Sequence, residues 1–195
     1  FPEQAACVLE ADIVLGAADR GGLLPSVLDA LDGKRVVHIT PHTPDEPFEP
    51  MMAEGMLDRT RAFVKIEDGC DNRCAYCIIP KARGFVRSKP LGDLARELEL
   101  LYGKGYREVV LSGINLPFYG RDLGLRLADA VELACGIMPR VRLSSLEPEL
   151  LPREDIERFA GMESFCPSFH LSLQSGCDRT LAAMRRRYNT ARYRE

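Results

Sequence analysis

The sequence predicts an α/β fold with a parallel sheet in residues 61–195, and two patterns lead to this prediction. Four short apolar segments typical of strands start 28 to 46 residues apart, close to the roughly 30 residues of a strand–helix–strand unit. They are residues 62–67, 108–113, 140–146 and 168–174. Between them, apolar residues recur at helical spacing. Units of this kind form parallel strands joined by right-handed crossovers.

Two of the helices between these strands have a clear apolar face. The face of the first consists of Leu91, Leu94, Leu98 and Leu101. This helix is expected to end at Gly103, a residue type common after the last helical turn. In the second helix, Leu127, Val131 and Cys135 share a face. Cys135 is therefore expected to be a core residue.

The first 33 residues indicate the final part of a small α/β unit. Residues 11–16 have the composition of a short strand, and residues 23–31 have helical spacing with Pro25 in the first turn. Cys7 lies in an apolar stretch, so it is expected to be a small buried side chain.

Residues 34–60 are expected to form a Pro-rich linker. After a short strand at 35–39, prolines occur at every third position from Pro41 to Pro50. This spacing favours an extended polyproline II segment, and a Pro-rich recognition motif is the alternative. His42 is interpreted as an ordinary polar residue of the linker.

The composition is that of a globular protein with reduced thiols. Hydrophobic residues make up 46% and charged residues 28% of the 195 positions. No apolar segment approaches the roughly 20 residues of a membrane span and no leader is recognised, so we expect a cytoplasmic protein without a membrane partner. The seven cysteines are odd in number and irregularly spaced, which favours free thiols over disulfides. Because the chain starts at Phe1, we expect a fragment of a longer protein.

The net charge of -3 hides an uneven distribution. Residues 1–60 contain 4 basic and 11 acidic residues, whereas residues 61–195 contain 22 and 18. A basic run without acidic residues consists of Lys81, Arg83, Arg87 and Lys89. Three consecutive arginines follow at 185–187. Such runs suit contacts with RNA phosphates, and a solvated charged surface is the alternative.

Three cysteines follow the first predicted strand at the spacing C-x3-C-x2-C: Cys70, Cys74 and Cys77. Cysteine thiolates are the ligands of iron–sulfur clusters, and three of them leave one iron of a four-iron cluster open. A zinc site would need a fourth ligand, for which His42 and His170 are the nearest histidines. Three free thiols are the remaining alternative.

The motif-bearing segments come at the ends of predicted strands. The cysteine loop follows the first strand, and Gly113, Glu147 and Gln174 lie at the ends of the other three. Because function gathers at the carboxyl ends of strands in parallel α/β barrels, these segments should face one opening. Cys177 is expected to be incidental, since a helix begins at Asp178.

The sequence around the cysteines resembles a known family. The C-x3-C-x2-C loop, with Tyr76 before its third cysteine, is similar to the signature of the radical S-adenosylmethionine (SAM) enzymes. Four longer strings resemble the methylthiotransferases, most closely the branch that acts on threonylcarbamoyladenosine in tRNA. They are residues 61–84, 111–115, 142–149 and 169–178. The resemblance covers nearly the whole chain.

The resemblance implies an incomplete parallel (β/α) barrel of the radical SAM type. That family has six strand–helix units, of which about four would lie in residues 61–195 as a truncated radical SAM core. Residues 1–33 would form the carboxyl-terminal part of the amino-terminal methylthiotransferase domain.

The cofactors also follow from the resemblance. Cys70, Cys74 and Cys77 would bind a 4Fe–4S cluster whose open iron binds the amino and carboxylate groups of SAM. No catalytic residue beyond these ligands is expected. A second 4Fe–4S cluster would be held by cysteines upstream of Phe1, and an electron donor such as a flavodoxin or ferredoxin would be a partner.

Further site residues are implied by the resemblance together with their placement at strand ends. Tyr76 and the backbone of Ile78 would pack against the adenine of SAM, with core filling as the alternative for Ile78. Gly113 would allow close approach of the methionyl part, or form a simple turn. Glu147 and Gln174 would hydrogen-bond the ribose or the amino group. The residues expected to contact tRNA are Lys81, Arg83 and Arg87.

The implied activity adds a methylthio group to C2 of N6-threonylcarbamoyladenosine beside the tRNA anticodon. Chemistry on an RNA base requires the base to leave the stack, which suits an open barrel mouth. Within the family, isopentenyladenosine in tRNA and a ribosomal protein are the alternative substrates. A non-catalytic iron–sulfur electron carrier and a zinc-stabilised RNA-binding module are the alternatives from other classes.

Overall fold

The computed structural model describes residues 10–52, 55 and 59–195, in which strands and helices alternate. The strands are β1 (Ile13–Leu15), β2 (Val36–His38), β3 (Ala62–Lys65), β4 (Glu67–Asp68), β5 (Arg87–Ser88), β6 (Glu108–Ser112), β7 (Arg140–Leu143), β8 (Ser145–Leu146) and β9 (His170–Leu171). The helices are α1 (Leu23–Leu31), α2 (Ile79–Ala82), α3 (Leu91–Gly103), α4 (Leu127–Ile137), α5 (Arg153–Ala160), α6 (Asp178–Ala183) and α7 (Thr190–Arg194). Within these ranges no helix is long and apolar enough to cross a membrane. Cys7 lies outside the described residues.

A three-stranded parallel sheet lies at the centre of the chain, in the order β3, β6, β7. Val64 pairs with Leu111, which in turn pairs with Leu143, so three apolar residues lie side by side across the sheet. A second parallel pair is formed by β8 and β9. The predicted α/β fold with parallel strands is confirmed.

Two predicted strands are less regular than expected. Residues 140–146 form two strands separated at Ser144, whose N–H donates to the Leu111 carbonyl oxygen at 3.0 Å. Residues 168–174 are regular only over β9. The backbone leaves the extended conformation at Gln174, where φ is 62°. These breaks turn the chain at the edge of the sheet where the cysteine loop also lies.

Helices α3 and α4 pack on this sheet through their apolar faces. Leu94 and Leu98 of α3 are fully buried, and burial of each such side chain contributes roughly 1.5–3 kcal/mol to folding. In α4 the buried face includes Ala130 and Ala134, small side chains that let the two helices approach closely. Cys135 packs at the edge of the same core, as its helical spacing predicts, and burial raises its pKa to about 11.

The amino-terminal part of the chain contains a second sheet of two strands. β1 and β2 are parallel, with Ile13 paired to Val36, and α1 lies next to them. β2, which the sequence analysis assigned to the linker, thus shares a sheet with β1. The division of the chain at residue 33 stays a prediction.

Ion pairs attach the Pro-rich segment to residues in and next to the cysteine loop's flanking strands, β3 and β5. Its described part from 39 to 52 contains no helix or strand. Glu46 Oε2 lies 3.4 Å from Arg87 Nη1, and Glu49 Oε2 lies 3.7 Å from Lys65 Nζ. The acidic residues of this segment therefore neutralise cations that the sequence places close to the cysteine loop.

Candidate cofactor site at the strand ends

At the start of the cysteine loop, the backbone at Gly69 packs very closely against the backbone at Phe85. Gly69 has φ of +83°, and a Cβ atom at this position would lie 1.9 Å from the carbonyl oxygen of Phe85. The next residue, Cys70, donates its N–H to the Gly84 carbonyl oxygen at 3.1 Å. Only glycine combines this backbone conformation with this contact. These two contacts hold the start of the loop, and with it Cys70, against the backbone of residues 84–85.

The three cysteines border two cavities, one of about 860 Å³ and one of about 250 Å³. Cys70 is buried, whereas Cys74 and Cys77 are partly exposed. In the described part of the chain, no group of three or more His, Cys, Asp or Glu side chains is close enough together to hold a single metal ion. All three cysteines line both cavities, so a cluster held there would bind each thiolate through a different iron.

The smaller cavity joins the cysteines to the ends of the other strands. Asn115 follows β6, Glu147 follows β8, and Gln174 follows β9, and all three line this cavity. The structure therefore brings together the segments that strand order places at one edge of the sheet. Gly113 is the exception among the predicted cofactor-binding residues, because it lines neither cavity.

Gly113 makes room for a buried carboxyl group. A Cβ atom at Gly113 would lie 2.6 Å from Oε2 of Glu67. That carboxylate is fully buried and accepts the N–H of Asn115 at 2.7 Å, while its Oε1 has no partner. Burial raises the pKa of Glu67 to about 8. The sequence analysis expected Gly113 to allow close approach of the methionyl part of SAM or to form a simple turn. In the structure its lack of a side chain makes room for Glu67, and its role at the cofactor stays a prediction.

Glu147 is held by residues from two distant parts of the chain. Asn72 donates its side-chain N–H to Glu147 Oε2 at 2.5 Å, and Arg186 forms an ion pair with the other oxygen. Arg186 also donates to the Tyr76 hydroxyl at 2.6 Å. Although burial disfavours the charge of Arg186, the attraction to Glu147 raises its pKa above the usual range.

Buried polar atoms without a hydrogen-bond partner show whether the residues around the smaller cavity are suited to bind SAM. Oδ1 of Asn72, Oδ1 of Asn115 and Nε of Arg186 are buried without a hydrogen-bond partner, and all three residues line the smaller cavity. Buried polar atoms of this kind normally have a partner. Two acceptors and one donor require a ligand that carries both donors and acceptors, as the amino and carboxylate groups of SAM do. The residues fit this cofactor beside a three-cysteine cluster.

The larger cavity has an aromatic and basic lining. Tyr76, Ile78 and Phe85 border it and are exposed. Lys81 lies on the same lining, together with Arg73. Arg185 completes a set of three cations around the cysteine loop. Of these cations, the sequence analysis named Lys81 as a site residue, considered Arg185 within the arginine triplet, and missed Arg73, which is an isolated arginine in the sequence.

Arg83 and Arg87, which the sequence analysis expected to contact tRNA, are paired with acidic side chains of the chain itself. Arg83 forms two hydrogen bonds with Asp68, at 2.9 and 2.7 Å. Arg87 is buried and pairs with Glu46. Although burial alone would raise the pKa of Asp68, its hydrogen bonds to Arg83 and Lys65 hold that pKa below the usual range. Arg87 is therefore an internal ion-pair partner, and the partly exposed Arg83 is also paired with an acidic side chain.

The remaining predicted ligands have other partners or lie apart. His42 Nδ1 lies 2.6 Å from Glu46 Oε2, and His170 Nδ1 lies 2.8 Å from Ser145 Oγ. The two histidines considered for a zinc site are thus hydrogen-bonded elsewhere. Cys177 is exposed next to α6 and lines neither cavity, in line with the interpretation as incidental.

Comparison with known proteins identifies the class of protein that this fold and site define. The sequence model of the Radical SAM superfamily matches residues 64–195. The chain therefore belongs to the radical SAM superfamily, whose cofactors are a 4Fe–4S cluster and SAM.

Within the superfamily, the chain is similar to methylthiotransferases. It is 38% identical to threonylcarbamoyladenosine tRNA methylthiotransferase MtaB of Thermotoga maritima, over 92% of this chain and 42% of that protein. The protein of the same name from Aquifex aeolicus is 34% identical, over 100% and 48%. The tRNA-2-methylthio-N(6)-dimethylallyladenosine synthase of Sulfurihydrogenibium sp. is 32% identical, over 93% and 43%. The chain thus spans less than half the length of these curated relatives, and the resemblance to methylthiotransferases is confirmed.

A solved structure supports the fold. The radical SAM methyltransferase TsrM from Kitasatospora setae, with cobalamin and a 4Fe–4S cluster bound, matches with a TM-score of 0.55. The match covers 68% of this chain and 27% of that one, at 13% identity. At this identity the likeness shows the fold alone, which agrees with an incomplete α/β barrel.

Proposed function

We propose that the protein containing this chain is a tRNA-modifying radical SAM enzyme. It adds a methylthio group to C2 of N6-threonylcarbamoyladenosine next to the anticodon. The observation that carries the proposal is the smaller cavity, where three cysteines meet polar residues from the ends of three strands. Relatives named for this substrate are 34% and 38% identical over nearly the whole chain, which supports the same substrate class.

The polar residues of the smaller cavity bind and orient the cofactor in this proposal. When bound, the cluster and SAM supply the radical chemistry that an adenine C–H group requires, because such a group has no useful acidity. Asn72 and Asn115 would accept hydrogen bonds from the SAM amino group, and Arg186 would donate to its carboxylate. Gln174 and Glu147 lie on the same lining for further polar contacts.

The larger cavity suits the RNA. Arg73, Lys81 and Arg185 provide positive charge for phosphates, and Phe85 offers an exposed ring on which an unpaired base can stack. Arg83 and Arg87 are paired with acidic side chains, and their contact with tRNA stays a prediction.

The other components of the reaction lie outside these 195 residues. We infer that a second 4Fe–4S cluster delivers the sulfur, and that a flavodoxin or ferredoxin supplies the electrons. With a tRNA substrate and these donors, the protein would act in the cytoplasm.

Analysis of modified nucleosides tests the proposal. The whole protein, reconstituted anaerobically with iron and sulfide, is incubated with SAM, reductant and tRNA that carries threonylcarbamoyladenosine. Mass spectrometry of the digested tRNA should show the methylthio derivative, and a Cys77→Ser variant should not form it. An unmodified nucleoside after incubation with a fully loaded enzyme would contradict the proposal.

Isopentenyladenosine in tRNA is the second candidate substrate. It is favoured by relatives named for dimethylallyladenosine, which are 32% to 40% identical over 93% and 68% of the chain. The same assay with tRNA that carries isopentenyladenosine separates the two, because only the true substrate should gain the methylthio group.

A further inference from the structure

Arg186 differs from the two arginines next to it. Arg185 and Arg187 are exposed, whereas only 6% of the Arg186 side chain is accessible to solvent. The difference originates in the backbone, since Arg185 has φ of 59° and turns the chain directly before Arg186. A non-glycine residue in this left-handed region is uncommon and is kept only where the surrounding structure requires it.

The turn at 184–186 holds the cysteine loop at two points. The carbonyl oxygen of Met184 accepts the N–H of Ala75 at 3.1 Å. The guanidinium of Arg186 donates to the hydroxyl of Tyr76 at 2.6 Å. Both contacts fall between Cys74 and Cys77 in the sequence, so they act on the part of the loop that carries two of the three ligands.

The same guanidinium reaches across the smaller cavity to the end of β8. It forms an ion pair with Glu147, whose side chain is 14% exposed. Its Nε is buried without a partner in a lining that also contains Cys74 and Gln174. A buried ion pair in which one partner is removed leaves an uncompensated charge, so Arg186 and Glu147 depend on each other.

We propose that Arg186, besides the contact of its Nε with the cofactor, is a positioning residue that holds the cysteine loop over the cofactor cavity, by binding Tyr76 on the loop and Glu147 at the end of β8. Its positive charge also lies beside the Cys74 ligand and favours the more negative, reduced state of the cluster. The proposal depends on the cluster of the superfamily and not on the identity of the RNA. Its test can therefore succeed or fail independently of the methylthiotransferase assay.

Three substitutions in the whole reconstituted protein test this inference. Arg186→Gln removes the charge, Arg186→Lys keeps the charge but cannot bridge both partners, and Arg187→Gln is the matched control at an exposed neighbouring position. The measurements are iron and sulfide content, the reduction potential of the cluster by electron paramagnetic resonance, and the dissociation constant of SAM from its effect on that spectrum.

Arg186→Gln should lower the reduction potential and weaken SAM binding about tenfold or more, since hydrogen bonds to charged groups are the stronger class. Arg186→Lys should keep the potential near that of the wild type and still weaken SAM binding. Arg187→Gln should change neither quantity. A potential and a dissociation constant that are the same in Arg186→Gln and Arg187→Gln would overturn the proposal.

Tyr76→Phe provides a test that does not disturb the ion pair. It removes only the hydroxyl that Arg186 binds, so cluster content should remain unchanged while SAM affinity falls several-fold. If Arg186→Gln fails to load a cluster, the Arg186→Lys and Tyr76→Phe variants decide the matter. Wild-type SAM affinity in both of them would overturn the proposal.

Discussion

The carboxylate of Glu67 accepts the backbone N–H of Asn115 at 2.7 Å, across 48 residues of sequence. Both residues are buried, and the side chain of Asn115 in turn donates to Cys70 Sγ at 3.8 Å. The end of β6 is thus connected to the first cysteine through a carboxyl group.

Replacing Glu67 with Gln should remove a pH dependence of stability. Burial raises the pKa of Glu67 from 4.5 to about 8, so the folded chain keeps a proton that the unfolded chain releases. The stabilisation is fully present below the unfolded pKa of 4.5 and is lost as the pH rises through the folded pKa of about 8. Urea unfolding of the apoprotein should show this decline in the wild type and in the exposed control Glu99→Gln. An equal decline in Glu67→Gln would contradict the prediction.

Asn115→Ala should lower the reduction potential of the cluster. Hydrogen bonds to the cysteine sulfurs contribute to the potential of iron–sulfur clusters, and Asn115 donates one to Cys70. Loss of this donor disfavours the reduced, more negative state. A redox titration followed by electron paramagnetic resonance measures the change. Ile114→Ala, at a residue that lines the same cavity without such a bond, should leave the potential close to the wild-type value.

Gly113→Ala should destabilise the fold by about 1–3 kcal/mol, the usual cost of adding a methyl group to a closely packed site. The added Cβ would meet Glu67 Oε2 at 2.6 Å and Leu116 Cδ2 at 3.1 Å. Gly136→Ala in α4 is the control, because no atom lies within 4 Å of its Cβ position. That change should stabilise the protein by roughly 0.5–1 kcal/mol, the helical preference for alanine. Denaturant unfolding compares the two, and equal free energies of unfolding would show that the crowding at Gly113 is unimportant.

Glu97→Gln should cost about 3–5 kcal/mol, because it leaves the ammonium group of Lys89 buried beside a neutral amide. Both side chains of this ion pair are nearly inaccessible to solvent. The exposed pair of Arg96 with Asp93 on the same helix gives the comparison, and Asp93→Asn should cost less than about 1 kcal/mol. The free energy of unfolding in urea measures both variants. A loss at Glu97 no larger than that at Asp93 is the outcome that this prediction excludes.

The grouping of the three cysteines with Glu147 and Gln174 around one cavity could be predicted from the sequence because it depends on local patterns. The spacing of Cys70, Cys74 and Cys77 is contained in eight residues, and strand periodicity alone places Glu147 and Gln174 at the same edge of the sheet. These inferences need no knowledge of which distant side chains meet.

The ion pairs could not be predicted in this way. Arg87 reads as a surface cation in a basic run, yet its partner Glu46 comes from the Pro-rich segment 41 residues earlier. Arg186 has the same side chain as its two neighbours, and only the backbone turn at Arg185 directs it inward. A sequence shows which charges are present, whereas their pairing depends on the tertiary structure.

Release of 5′-deoxyadenosine from SAM tests most directly the central claim that three cysteines hold a cluster with an open iron. The whole protein is reconstituted anaerobically with iron and sulfide, and the product is measured under reductant beside a Cys74→Ala variant. The wild type should release 5′-deoxyadenosine and the variant should release none, because each cysteine binds a separate iron. No release from a wild-type protein with a fully loaded cluster would contradict the claim and favour an electron carrier.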